Sequence, residues 1–156
     1  MQLGSCDIAI APATEAEREW CARLMASTDP WLTLGRGFED CLERCRRPGY
    51  LLLVARRDGR PCGFVLLHPY GVAGSPYIAS IATAPEARGQ GVGTALLAHA
   101  EGCFPEARHM FLCVSSFNAR ARRLYQRHGY RAVGELKDHV VQGQSEILMH
   151  KRLERP

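Results

Sequence analysis

The run Arg88-Gly89-Gln90-Gly91-Val92-Gly93-Thr94 places three alternating glycines within five residues. It lies between an apolar strand-like stretch, Tyr77 to Ala84, and a helix-like stretch, Ala95 to Cys103. Glycine reaches φ angles closed to other residues and lets backbone approach a ligand closely. A loop of this kind opening a helix aims free N–H groups, and the positive end of the helix dipole, at one point. That is an anion site, suited to a phosphate or pyrophosphate. A glycine-rich strand-to-helix turn without a ligand fits the same letters, so further residues must decide.

Spacing removes two common nucleotide loops. A phosphate loop of the Walker type needs lysine and then Ser/Thr after its last glycine. Here Gly93 is followed by Thr94 and Ala95. The dinucleotide fingerprint G-x-G-x-x-G sits near the start of a βαβ unit. The spacing in this chain is G-x-G-x-G, and it comes late in the sequence.

A second segment follows a strand-like run, His109 to Val114. Asn118 is a good N-cap. Ala121, Leu124, Tyr125 and His128 recur at helical i, i+3, i+4, i+7 spacing, and Gly129 suits the position that ends a helix. Together, R-x-x-G-x-G (Arg88, Gly91, Gly93) and N-x-x-A-x-x-L-Y-x-x-x-G-Y (Asn118 to Tyr130) resemble the two signatures of the GNAT superfamily of acetyl-CoA-dependent N-acetyltransferases.

The resemblance implies that Arg88, Gly89, Gln90, Gly91, Val92, Gly93 and Thr94 hold the pyrophosphate of acetyl-CoA, used as a co-substrate. It implies that Asn118, Ala121 and their helix contact the coenzyme, with the Tyr125 hydroxyl beside its sulfur. In the family the strand before the glycine loop splays from its neighbour and binds the pantetheine arm through its backbone. By position that role falls to Ile81, Ala82 and Thr83. Tyr125 is then the general acid for the leaving thiolate, because a phenol is protonated at neutral pH and has a higher pKa than a thiol. Its place on an apolar helical stripe equally suits a core tyrosine.

Many family members carry a glutamate on the strand before the loop, and this chain departs: Tyr77 to Ala84 holds neither carboxylate nor histidine. Candidate bases are Glu39, Asp40 and Glu43 on a second helix, His68 at a strand end, and Asp138 or His139 in a late loop. Ser80 and Tyr77 could hold a water. Trp31 and Arg36 fall in the segment that lines the acceptor side of this fold, and Trp31 equally suits a core plug.

Length and composition set the frame. The 156 residues fit one domain, residues 1–156, with 46% hydrophobic and 23% charged residues, as in an ordinary globular protein. No apolar run approaches the ~18 residues that cross a bilayer, and Met1 to Ile10 lacks the pattern of a leader peptide. The expectation is a cytoplasmic protein with no membrane partner. Seven cysteines (6, 21, 41, 45, 62, 103, 113) without a C-x-x-C pair argue against a disulfide framework and a zinc ribbon, so no metal is expected. Cys41 and Cys45 are i,i+4 neighbours, but nothing nearby completes a ligand set. The net charge of +4 agrees with an anionic cofactor. Arg120, Arg122, Arg123, Arg127 and Arg131 lack the aromatic residues of a nucleic-acid stripe, so no nucleic acid is expected.

The pattern predicts a strand over 7–12, a helix from the Thr14 cap to Met25, a turn at 27–31 and a helix over 38–46. Two strands, 50–56 and 62–69, join through Asp58-Gly59, a hairpin signal. A loop at 69–76 precedes the strand at 77–84. Then come a helix over 92–103, a strand over 109–114, a helix over 118–128, and strands at 130–136 and 146–153, with a polar loop at 138–144 between the last two. This β-α-α-β-β-β-α-β-α-β-β order is that of the single-domain GNAT fold: an α/β (α+β) architecture, a mixed twisted sheet of about seven strands with helices on both faces.

Three functions compete at this stage. The first is acetyl transfer to a primary amine of an unidentified small molecule or peptide, by direct attack in a ternary complex. The second is a non-catalytic acyl-CoA-binding sensor, which the absent strand carboxylate suggests. Nucleic-acid binding through the arginines is the third. The resemblance also allows a homodimer, since dimers are common in the family.

Overall fold

A computed structural model describes residues 7–155. Cys6, and the segment 1–6 of the stretch read for a leader peptide, lie outside the described residues. The elements are β1 (Ala9–Pro12), α1 (Glu15–Ala26), α2 (Phe38–Cys45), β2 (Leu51–Arg57), β3 (Arg60–Val72), β4 (Ser75–Thr83), α3 (Val92–Gly102), β5 (His109–Ser115), α4 (Ala119–Arg127), β6 (Arg131–Lys137) and β7 (Ser145–Arg152). One 3-10 turn, Pro85–Ala87, joins β4 to the glycine loop.

Local chemistry sets the helix starts. Thr14 and Glu17 form a reciprocal capping box on α1: the Glu17 N–H donates to Thr14 Oγ1 at 3.2 Å and the Thr14 N–H to Glu17 Oε1 at 2.9 Å. Glu17 also takes the Arg56 guanidinium from β2, which fastens α1 to the sheet. That charge-assisted pair holds the Glu17 carboxyl below its usual range.

The strands form one mixed sheet, β1-β2-β3-β4-β5-β7-β6. Only β4 and β5 run parallel; every other pair is antiparallel. β2 is apolar at successive positions because it is covered on both faces. Leu52 and Val54 join Phe64 and Leu66 under α1 and α2, with Cys21, Ala22, Met25, Leu42 and Cys45. Leu53 and Ala55 join Val65 and Leu67 under α3, with Val92, Leu96, Leu97 and Ala100. Tyr130 closes the second layer: its hydroxyl donates to Glu101 Oε1 at 3.1 Å, and Lys151 reaches the same carboxylate at 2.9 Å.

The predicted seven-strand mixed sheet with helices on both faces is the observed one, and the element order matches. One segment differs. Residues 69–76 are not a loop; they are the two arms of a second hairpin, turning at Ala73-Gly74. The prolines and Gly71 sit where the ladder is interrupted between His68↔Tyr77 and Val72↔Ser75, so no ladder hydrogen bond is asked of proline. A Cβ on Gly71 would fall 2.5 Å from Tyr77 Cβ, so only glycine lets the two strands close there. The cysteines among the described residues are free. Cys21, Cys41, Cys45 and Cys62 are buried, and burial pushes the Cys45 thiol up to about 11. No helix among the described residues is long and apolar enough to cross a membrane.

Candidate functional site

The sheet forks at its centre. β4 pairs with β5 only at Tyr77↔Phe111 and Ile78↔Leu112, after which the strands part. A bulge at Ala79 marks the place: Ile78 faces Leu67, Ser80 faces Leu66, and Ala79 has no opposite residue on β3. Below the fork the sheet continues from β5 into β7 through a full ladder. The divergence opens a cleft of about 1160 Å³ that runs between the helices on both faces.

The glycine loop stands over one end. Gly91 is the N-cap of α3 with φ +85, and Gly89 has φ +76, both left-handed conformations that favour glycine. No side chain caps this helix, so its first N–H groups are left to the cleft. Arg88, Gly89, Gly91, Val92, Gly93 and Thr94 line the space; the Val92 side chain also sinks into the core, 1% exposed. Gln90 does not line it. Its side chain is turned away, bound by Arg57 and donating to the Glu86 carbonyl at 3.1 Å. Thr94 Oγ1 meets His128 Nε2 at 3.1 Å, which ties the start of α3 to the end of α4.

Ile81, Ala82 and Thr83 form one wall past the fork. Opposite stands α4. Asn118 caps it as expected, accepting the Ala121 N–H at 3.3 Å, and Asn118, Ala121, Leu124 and Tyr125 face the cleft. Tyr125 is 6% exposed and packs edge-on against Tyr130, ring centroids 6.3 Å apart. Burial pushes its phenol above the ordinary tyrosine range. Tyr125 is thus a core residue that also borders the cleft. Exposed Arg88, Arg120 and Arg127 lie along the same space and give it a cationic border.

On the α1 and α2 side the cleft is lined by Asp29, Trp31, Arg36, Asp40, Glu43, Arg44, Tyr77, Ser80, His139 and Glu146, among others. Trp31 is 8% exposed, with its ring centroid 6.4 Å from that of Phe64, so it is a core plug with one edge on the cleft. The candidate bases divide. Asp40, Glu43 and His139 border the cleft, whereas Glu39, His68 and Asp138 do not. His68 stacks edge-on against Tyr50, and Asp138 accepts the Gly143 N–H at 2.6 Å. Arg122 is half-buried, and Arg123 and Arg131 are exposed outside the cleft.

Three lining groups escaped the sequence reading. Arg44 donates through Nε to Ser80 Oγ at 3.1 Å and through Nη2 to the bulged Ala79 carbonyl at 3.0 Å. Cys113 stands beside the Tyr77 phenol, which burial and then Cys113 hold above its ordinary range. Glu146 accepts the Ser115 hydroxyl at 2.6 Å. For Cys113 and Glu146 the available signal was strand alternation, which puts both on the same face of the sheet as Tyr77.

Residues 14–130 match the sequence model of a family described as the acetyltransferase (GNAT) family. An uncharacterized N-acetyltransferase of Methanocaldococcus jannaschii is 37% identical over 102 residues, which span 64% of this chain and 64% of that relative. A chain from Desulfovibrio desulfuricans assigned to the GNAT family superposes with a TM-score of 0.79 at 23% identity, covering 94% of this chain and 99% of that one. An aminoglycoside 6'-N-acetyltransferase complexed with coenzyme A superposes with a TM-score of 0.76 at 16% identity, covering 95% and 99%.

Proposed function

The chain belongs to the acetyltransferase (GNAT) family, and from that membership we propose that it transfers the acetyl group of acetyl-CoA to a primary amine. The amine attacks the thioester directly while both substrates are bound. The observation that carries the reading is the fork between β4 and β5, entered beneath the uncapped start of α3 and bordered by Tyr125.

Each wall has a task. The N–H groups of the loop Arg88–Thr94 receive the pyrophosphate, and Arg88 and Arg120 add charge. The free backbone edge at Ile81–Thr83 holds the pantetheine arm, as a strand holds its neighbour. An N–H of the same edge polarises the thioester carbonyl, the arrangement of an oxyanion site. Tyr125, kept protonated by burial, gives its proton to the departing thiolate and is reprotonated from solvent. The structural relative that carries coenzyme A supports the choice of ligand.

The test is release of free thiol from acetyl-CoA in the presence of a panel of amines. Wild type gives amine-dependent release. Tyr125→Phe lowers kcat about 10- to 100-fold with coenzyme affinity unchanged. Tight coenzyme binding with no transfer to any amine would replace the transferase reading with that of a sensor.

A further inference from the structure

We propose that Glu146, clamped by Ser115 on the acceptor side of the fork, receives the proton of the incoming amine. This rests on the transferase reading above and supplies the base that β4 lacks.

Four acidic residues line the cleft, and three are otherwise engaged or poorly placed. Asp29 Oδ1 takes the Thr33 N–H at 3.0 Å and the Thr33 hydroxyl at 2.6 Å, fixing the turn before α2. Asp40 Oδ2 accepts the Gly37 N–H at 3.1 Å and so caps α2. Glu43 borders the cleft from α2 as an exposed side chain with no hydrogen bond to orient it among the described residues. Glu146 alone sits on a strand of the central sheet, half-buried, with one oxygen held by Ser115 and the other taking no hydrogen bond among the described residues.

Register places it. Tyr77 pairs with Phe111 at the vertex, and Ser115, four residues further along β5, pairs with Glu146. Strand alternation then puts Tyr77, Cys113, Ser115 and Glu146 on one face, opposite to Ile78, Leu112 and Val114 in the α3 layer. That face is the α1 and α2 side, across the fork from Tyr125. The amine adds to one face of the planar thioester and the thiol departs from another corner of the tetrahedral intermediate, so the two reacting groups have separate proton carriers, Glu146 on one side of the sheet and Tyr125 on the other.

The groups around Glu146 are Tyr77 from β4, Cys113 and Ser115 from β5, Leu136 from β6, Arg44 from α2 and His139 from the loop before β7. Arg44 is fixed to Ser80 and to the Ala79 carbonyl, so its charge stands at the vertex without being bonded to Glu146.

The protons balance. An alkylammonium nitrogen carries three. One passes to Glu146, directly or through a water, and frees the lone pair that forms the N–C bond. As the C–S bond breaks, the thiolate takes a proton from Tyr125, and the nitrogen releases its second, which restores the phenol through solvent. The third stays on the amide. Glu146 returns its proton to solvent.

The experiment compares Glu146→Gln with wild type on two acceptors: an alkylamine, and a hydrazide or aromatic amine that is already neutral at the assay pH. The expected result is a 100-fold or greater loss of kcat with the alkylamine. The neutral acceptor shows a loss of less than about fivefold, coenzyme A affinity is unchanged, and Glu146→Asp restores part of the rate. A structural role would lower both acceptors equally, and that result, or no loss at all, overturns the proposal. If Glu146→Gln fails to fold, Ser115→Ala decides: losing the donated hydrogen bond moves the acid limb of the kcat/KM profile to higher pH, and an unmoved limb overturns the proposal. Wild type without transfer to any amine overturns the transferase reading and this assignment together, whereas transfer by wild type with an indifferent variant overturns this assignment alone.

Discussion

Leu124 Cδ2 lies 3.1 Å from where a Cβ on Gly93 would stand. The first turn of α3 and the second half of α4 therefore meet at a point where only glycine fits without adjustment. The contact joins the two sequence signatures physically, since one supplies the glycine and the other the leucine. A second glycine, Gly63 on β3, lets α3 sit on the sheet: its Cβ would fall 2.8 Å from Val92 Cγ1 and 2.9 Å from the Ala82 carbonyl oxygen.

The two glycines should respond differently to alanine. Gly63→Ala presses on backbone, and a loss of about 1–3 kcal/mol of stability is expected. Gly93→Ala presses on the flexible end of Leu124, so its stability loss is smaller, but α4 shifts and coenzyme A binding weakens. Thermal melts and coenzyme titrations of both variants check the order.

Asn118→Ala removes the side-chain acceptor for the Ala121 N–H at the start of α4. A stability cost of about 1 kcal/mol is expected from the lost cap. If Asn118 also touches the coenzyme, Asn118→Asp, which keeps the cap but adds a negative charge, melts near wild type while coenzyme affinity falls. Calorimetry on the two variants separates the effects.

Arg88 and Arg120 border the cleft from different elements and are exposed. Replacing either with Gln should weaken coenzyme A binding by about three- to tenfold at low salt, and by less as ionic strength rises, because exposed charges are screened over about 10 Å at 0.1 M. Dissociation constants at two salt concentrations test this. An equal loss at both would point to a packing role.

Glu17 and Arg56 predict an acid limb of stability. The Glu17 carboxyl titrates below its ordinary value in the fold, so the pair stabilises at pH above the unfolded value and is lost as pH falls through the depressed one. Arg56→Met should cost about 1–3 kcal/mol at pH 7 and much less at an acid pH below the depressed value, where the carboxyl is protonated in the wild type as well. Denaturant melts at the two pH values measure the difference.

Much of the fold was legible because its signals are local. The Thr14 cap with Glu17 three residues on, the Asp58-Gly59 hairpin, and the Asn118 cap each act within a few residues, and each is present. The alternating glycines of 88–94 marked a strand-to-helix turn with left-handed backbone, and Gly89 and Gly91 adopt it. What escaped is non-local. Glu146 reaches the fork because β7 pairs with β5, which sets it opposite Ser115, 31 positions earlier in the chain. Arg44 likewise acquires its place only when α2 packs on β4. Residues 69–76 misled for a different reason: proline and glycine usually mark loops, but here a bulge lets β3 carry them. Gln90 followed the motif in sequence, yet Arg57 from the neighbouring hairpin claims its side chain.

The parting of β4 from β5 has a consequence for solubility. A strand edge is ordinarily a hazard, since another chain can add to it. Edges usually lie at the rim of a sheet and are blunted by charge or by short strands. This protein carries two further edges in the interior of its sheet, along Ala79–Thr83 and the far half of β5. They lie inside the cleft rather than at the rim, with residues of α2, α3 and α4 lining the same space. The edge that would make an exposed strand prone to aggregate is, in the function proposed above, the edge offered to the pantetheine arm.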